Sequence, residues 1–377
     1  MLELRSPDGA FELIEGYLRE HGFFAPGGEH LEADLYLGYG LSETLRRTKT
    51  PTPPEPPPLP LAAVSVRDPT GADPGHVRSV PLSLPPRAEP RGRAGGHPSA
   101  RDMTGSDPGR VRIGQWRRSW TDAEYADAVE AVRHAIGRGD LYQVNLVQHL
   151  SAPLSGGHGG LETLLAGFEP RTMAGDGWAI VSASPELFLA RRGRRVWTCP
   201  IKGTRPLGEH VEGEKDSAEH VMIVDLERND LSRVCEPGSV RWPELMAERE
   251  LAGVTHLVST VEGTLRNGVG LAELLAATFP GGSVTGAPKI AALDLIAALE
   301  PVGRGASMGA LGTVYGNGDL DLALTIRTFA VTEARIHLWV GGGIVWDSEP
   351  EAEIEESWTK ARPLLAALGA PVEAGAR

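Results

Sequence analysis

Cysteine is nearly absent: Cys199 and Cys235 are the two in 377 residues. Two thiols build neither a disulfide framework nor a zinc cluster, and a reducing, cytoplasmic setting is expected. No apolar run of about eighteen residues occurs, so no helical membrane span is expected. The opening MLELRSPDGAFELIEGYL is too charged for a secretory leader. Positive charge is also in deficit: 37 Lys and Arg against 50 Asp and Glu, a formal charge of -13. That balance lacks the basic surplus of a nucleic-acid binder, so no nucleic-acid partner is expected. An anionic ligand would have to be held locally, by a few placed cations and backbone N–H groups. Signatures of common hydrolases are missing as well: there is no Gly-x-Ser-x-Gly elbow and no His-Glu-x-x-His pair.

What remains is a globular composition, 41% hydrophobic and 23% charged. Residues 1–48 read as a short N-terminal segment, with Phe11, Leu13, Ile14 and Leu18 near helical spacing. Residues 49–113 read as a flexible linker, rich in Pro, Gly and Arg. Its run PTPPEPPPLP favours polyproline II and packs no core. RDPTGADPGHVR from Arg67 returns as RDMTGSDPGRVR from Arg101, a duplicated stretch of turn formers rather than a helical repeat. Residues 114–370 read as one large catalytic domain. Thr121, with Glu124 three residues on, caps an expected helix to Ile136. Strands are expected at Leu141–His149, Trp178–Leu189, Arg195–Cys199, Leu322–Val331 and Ile336–Val340. Helices are expected at Ser217–Leu231, Ala287–Leu299 and Glu351–Leu368. This mixture indicates α+β.

Several groups of residues carry chemistry. Near the start of the last helix, Ser348 and Glu351 form a capping-box pattern with Pro350 in the first turn. Glu353 and Glu356 share one face there, with Lys360 four residues further on. Such acids suit a helix N-terminus, and they equally suit a hard cation such as Mg²⁺. Asp216 and Glu219 repeat the spacing on a second helix. Gly341, Gly342 and Gly343 interrupt a strand, as where a ligand approaches backbone. FPGGSVTGAPK opens a helix with a Gly-rich loop, but Ala-Pro-Lys follows where a nucleotide loop needs Gly-Lys-Ser/Thr, so nucleotide binding is rejected. Lys202, in CPIKGTRP, lies in an apolar, tightly turned setting. A hairpin around Arg192 and Gly193 would bring it beside Glu186, an acid next to a candidate nucleophile. His256 is a lone histidine in an apolar strand.

Together these segments resemble the chorismate-utilising family, which contains anthranilate, aminodeoxychorismate, isochorismate and salicylate synthases. The likeness runs from about Gly137 to Ala367 through GDLYQVNL, SASPELF, PIKGTRP, AEHVMIVDLERNDLSRV, THLVSTVEG, FPGGSVTGAPK, GDLDLALTIRT and GGGIVWDSEPEAEIEESWTKA. It implies the family's fold, two large facing antiparallel sheets with outer helices. It implies Mg²⁺ as cofactor, with Glu219 and Glu356 as ligands and Glu353 assisting. Arg327 would meet the enolpyruvyl carboxylate of chorismate, and the N–H groups of Gly341 to Gly343 with Lys360 would complete an anion site. Gly203 and Thr204 would contact substrate near the leaving hydroxyl, and His256 would be the active-site histidine.

Two positions separate the family's reactions. Water-adding members carry a lysine base where this chain has Gln143. Anthranilate synthases carry a small residue where this chain has Lys202. The PIKGT form resembles aminodeoxychorismate synthases, implying Lys202 as nucleophile and Glu186 as acid in amination at C4. Anthranilate synthase component I and a non-catalytic chorismate-binding relative are the alternatives. Thr313 stands where a tyrosine is usual, with Tyr315 two residues later. No tryptophan-sensing LLES motif occurs, so tryptophan feedback is not expected. Neither cysteine sits in a Gly-x-Cys-x-Gly elbow, so ammonia would come from a separate glutamine amidotransferase subunit or from solution.

Overall fold

The computed structural model describes residues 1–69, 111–206, 214–251, 254–332 and 334–369. In chain order the first elements are β1 (Leu2–Leu4), α1 (Ala10–Glu20), β2 (Glu32–Leu37), β3 (Ala62–Arg67), β4 (Arg112–Ile113) and β5 (Arg117–Arg118). Then come α2 (Asp122–Gly137), β6 (Gln143–Ser155), α3 (Gly159–Leu164), β7 (Arg171–Gly175), β8 (Trp178–Ser182), β9 (Leu187–Arg192), β10 (Arg195–Cys199) and β11 (Ile201–Pro206). The chain continues through α4 (Glu214–Ser232), β12 (Arg241–Leu251), β13 (Val254–Thr264), α5 (Leu271–Thr278), β14 (Gly286–Ala287) and α6 (Lys289–Leu299). It closes with β15 (Ala310–Tyr315), β16 (Leu320–Leu324), β17 (Thr328–Thr332), β18 (Arg335–Ile344) and α7 (Pro350–Ala367).

Two antiparallel sheets carry the fold, as expected for the α+β class. The ten-stranded one runs β1-β3-β2-β15-β16-β9-β10-β13-β11, with β12 also on β13. The eight-stranded one runs β14-β6-β18-β17-β8-β7, with β4 and β5 on β6. One large core joins side chains of both sheets, among them Tyr36, Leu322, Trp178 and Trp339. On the eight-stranded sheet Leu150, Phe329 and Leu338 pack with Leu364 and Leu365 of α7, while α2 and α6 close over Val144 and Leu146. The capping box at Thr121 and Glu124 is present at α2. No helix among the described residues is long and apolar enough to cross a membrane.

Three expectations are corrected. The linker does not begin at residue 49. Ala62–Arg67 pairs with both β1 and β2, and Ala62, Ala63 and Val64 are fully buried. Ahead of it the Pro54 carbonyl accepts the Gly303 N–H at 2.9 Å, and Glu55 Oε2 accepts that of Gly305 at 2.8 Å. The prolines masked a short apolar run, LAAVSV, that completes a sheet begun by residues 1–48. Residues 112 and 113 also pair, as β4 on β6. The duplicated turn-rich stretch falls mostly outside the described residues.

The second correction is that Trp178–Leu189 and Leu322–Val331 are not single strands. Each divides between the sheets: β8 and β17 in the eight-stranded one, β9 and β16 in the other. Alternating apolar residues continue through both crossings, so periodicity alone does not reveal the break. The third is the capping box at α7. Ser348 Oγ accepts the Val345 N–H at 3.0 Å, and Glu349 is the N-cap without a side-chain bond. Pro350 does occupy the first turn.

Candidate active site

The two crossings build the site. The chain leaves β8 for β9 across Ala183–Glu186 and leaves β16 for β17 across Thr325–Arg327. They are tied together by Ala183 N–H to the Arg327 carbonyl (3.1 Å) and Leu324 N–H to the Glu186 carbonyl (3.0 Å). Arg327 holds the turn with φ at 49°, a left-handed conformation uncommon in a residue other than glycine. Glu186 and Arg327 therefore sit together at the seam between the sheets.

Glu186 is 6% exposed, and its Oε1 accepts the Ser283 hydroxyl at 2.9 Å. Burial pushes its carboxyl above the ordinary value, against the opposing pull of Ser283, Lys202, the Ile201 backbone and Arg327. Lys202, on β11, donates to Glu219 Oε2 of α4 at 3.2 Å, both side chains largely buried. A Cβ at Gly343 would lie 3.2 Å from Lys202 Nζ and 2.4 Å from Gln143 Nε2, so only glycine leaves room for both tips. The Gln143 carboxamide is buried, and neither its oxygen nor its nitrogen has a hydrogen-bond partner among the described residues. A buried unpaired amide is costly, which marks this corner as one that a polar ligand would satisfy.

β11 is irregular opposite β13: Lys202 pairs with Leu257 and Thr204 with His256, leaving Gly203 as the extra residue. Gly203 takes φ at 60°, a glycine conformation. Its carbonyl meets His256 Nδ1 at 2.9 Å. A carbonyl only accepts, so Nδ1 carries the proton. Burial first, aided by the Arg327 charge, lowers the pKa of His256 against that bond, which favours the neutral ring.

β18 supplies the opposite wall. β17 pairs with it only from Ile336 to Leu338, so Gly341 to Gly343 run on past the start of β17, near Arg327. A Cβ at Gly342 would lie 3.0 Å from Glu356 Oε1 and 3.3 Å from Glu353 Oε2, so the two α7 carboxylates converge on one point. Glu353 is buried. Lys360 Nζ donates to Glu356 Oε1 at 2.7 Å and to the Gly341 carbonyl at 2.8 Å. It positions the glutamate and the glycine strand. Among the described residues no three His, Cys, Asp or Glu side chains form a metal-holding group. Glu353 and Glu356 come together, while Glu219 is held by Lys202. The donors are nonetheless carboxylates with hard oxygens, which fit Mg²⁺ in kind.

Tyr315 does not join this site. Its hydroxyl donates to Asp321 Oδ2 at 3.4 Å, and its ring lies under Arg192. Thr313 is buried on β15 between Asp34 and Asp321. Sequence reasoning missed Ser283, hidden inside the glycine loop, and Glu227, a buried α4 carboxyl pushed well up by burial and by Glu186 and Asp230. It also missed a clamp beneath that loop, the Arg304–Glu300 pair. A separate cavity of about 270 Å³, lined by Phe11, Leu41, Leu45 and Phe279 among others, holds none of the expected residues.

The sequence pattern of the chorismate binding enzymes matches residues 28–366, spanning both sheets and both crossings. The chain belongs to that family. Anthranilate synthase component 1 of Thermus thermophilus is 43% identical over 275 residues, covering 68% of this chain and 60% of the relative. Aminodeoxychorismate synthase component 1 of Klebsiella aerogenes is 40% identical over 266 residues, covering 66% and 59%. The aligned stretch is thus somewhat over half the length of these curated relatives. Among solved structures, anthranilate synthase component I of Streptococcus pneumoniae superposes with a TM-score of 0.70 at 24% identity, covering 93% of this chain and 84% of that one. At that identity the superposition bears on the fold, which is the family's.

Proposed function

We propose that this family member aminates chorismate at C4, giving 4-amino-4-deoxychorismate. The observation that carries the reading is Lys202 at the seam between the sheets, with its charge felt by the buried acid Glu186. Free lysine is protonated at pH 7 to all but about 0.04%, so a nucleophilic lysine depends on its surroundings to shed a proton. Lys202 Nζ attacks C2, the ring double bonds shift, and the C4–O bond breaks. Glu186 gives its proton to the departing hydroxyl, which leaves as water. Ammonia adds at C4, the electrons shift back, and Lys202 leaves C2 as an amine. The surplus proton on the new amino group restores Glu186.

Arg327 pairs with the enolpyruvyl carboxylate, and backbone N–H groups of Gly341 to Gly343 serve the ring carboxylate. Gly203 and Thr204 line the leaving-hydroxyl side, and His256 is the histidine beside them. Glu356, Glu353 and Glu219 would hold Mg²⁺, which when bound supplies positive charge for the substrate carboxylate. Ammonia comes from a glutamine amidotransferase partner. The anthranilate synthases among the relatives support amination at C2 as the second reading. Incubation with chorismate, Mg²⁺ and an ammonium salt, with the products resolved, tests the choice. The 4-amino product is expected; anthranilate with pyruvate would overturn it.

Glu186 works in its protonated form, and burial raises its pKa above the ordinary carboxylate value. The active form is therefore present below that raised value and lost as pH rises through it. At constant free ammonia, kcat is expected to fall on the alkaline side with this single ionisation. In Glu186→Gln that alkaline fall is expected to disappear; a fall that persists in the variant would remove Glu186 from the acid role.

A further inference from the structure

We propose that Lys202 is a placeholder cation for the metal site: it holds Glu219 in the metal-free protein and is expelled when a divalent ion binds, so that one event fills the site and frees the nucleophile. The inference rests on the magnesium reading above and deepens it. Its footing is the Lys202–Glu219 contact at 3.2 Å, with side-chain exposures of 16% and 12%. A carboxylate so little exposed costs free energy unless a cation faces it. Among the described residues, Lys202 is the cation that faces Glu219.

A dication brought to the same carboxylate oxygen repels the ammonium and offers twice its charge, so the two compete for one ligand. The tip of Lys202 already lies against the Gly343 wall, 3.2 Å from where a Cβ would stand. Leaving Glu219 therefore keeps it inside the site. Glu353 and Glu356 converge at Gly342, while Glu219 stays with its lysine. Without metal the nucleophile is occupied, and it becomes available only in the state that can also receive the substrate carboxylate.

The test is Mn²⁺ binding to the full chain without substrate, read from the free-ion electron paramagnetic resonance signal. Lys202→Met is expected to bind Mn²⁺ on the order of tenfold more tightly than the unaltered chain. Glu219→Gln is expected to weaken binding, and in the double variant the gain from Lys202→Met should vanish. Equal or weaker binding in Lys202→Met, with Glu219→Gln still weakening it, overturns the exchange and leaves the metal site standing. Binding indifferent to both Glu219→Gln and Glu356→Gln overturns the metal site and the exchange with it. A second measurement needs no variant. Reductive methylation of Lys202, quantified by mass spectrometry, should rise severalfold when Mg²⁺ is added, because the ion pair that shields the amine is broken. No change, or protection, counts against the exchange.

Discussion

Lys202→Ala is expected to lose the 4-amino product by on the order of a thousandfold or more, while chorismate still binds. Removing the side chain deletes the proposed nucleophile and leaves Arg327, the glycine wall and Glu356 in place. Binding energy at the carboxylates is therefore retained and the covalent step is lost. Glu186→Gln should cost about 10²–10⁴ in kcat, because an amide fills the same space without an acidic proton. The two effects should not add. In the proposed mechanism attack at C2 and departure at C4 are one displacement, and either loss stops it. The decisive measurement is product formation under saturating ammonium beside calorimetric chorismate binding. Unchanged turnover in Lys202→Ala would eliminate the covalent route. Loss of binding equal to the loss of turnover would make the lysine a binding residue.

Much of this site was legible in the sequence, and the reason is local. Glycine at 203 is demanded by a left-handed backbone, and glycine at 343 by two side-chain tips. The spacing of Glu353 and Glu356 is fixed by one helix. Such requirements are met within a few residues, so they show in a motif. What did not show depends on partners far along the chain. Nothing near Ser283 says that its hydroxyl reaches Glu186, and nothing in SASPELF or LALTIRT says that the chain changes sheets there. Strand periodicity continues through both crossings while the face it serves changes. The proline-rich stretch misled in the other direction: composition argued for a linker, but Ala62–Val64 gain their core from β1 and β2. Lys360 shows the same division. Its helical spacing from Glu356 was plain, whereas its second bond, to the Gly341 carbonyl, exists only once α7 lies along β18.

Arg304→Met is expected to destabilise the fold by about 3–5 kcal/mol, the cost of leaving one member of a buried ion pair alone. Arg304 is 1% exposed and grips Glu300 with two parallel bonds, Nε to Oε2 at 2.9 Å and Nη2 to Oε1 at 2.7 Å. Its remaining donors reach the Val284 carbonyl at 2.8 Å and the Asn145 carbonyl at 2.6 Å, and Glu300 Oε1 accepts the Val147 N–H at 3.1 Å. The pair thus fastens the glycine loop to β6, and that loop carries the hydroxyl bonded to Glu186. Methionine fills much of the volume but returns none of these bonds, and Glu300 stays buried without its cation. Glu300→Leu together with Arg304→Met should be less destabilised than Arg304→Met alone, since no charge is then stranded. Urea unfolding of the single and double variants decides it. If the double variant loses the sum of the two single losses, the pair has no coupling, and the loop is held by its carbonyl bonds alone.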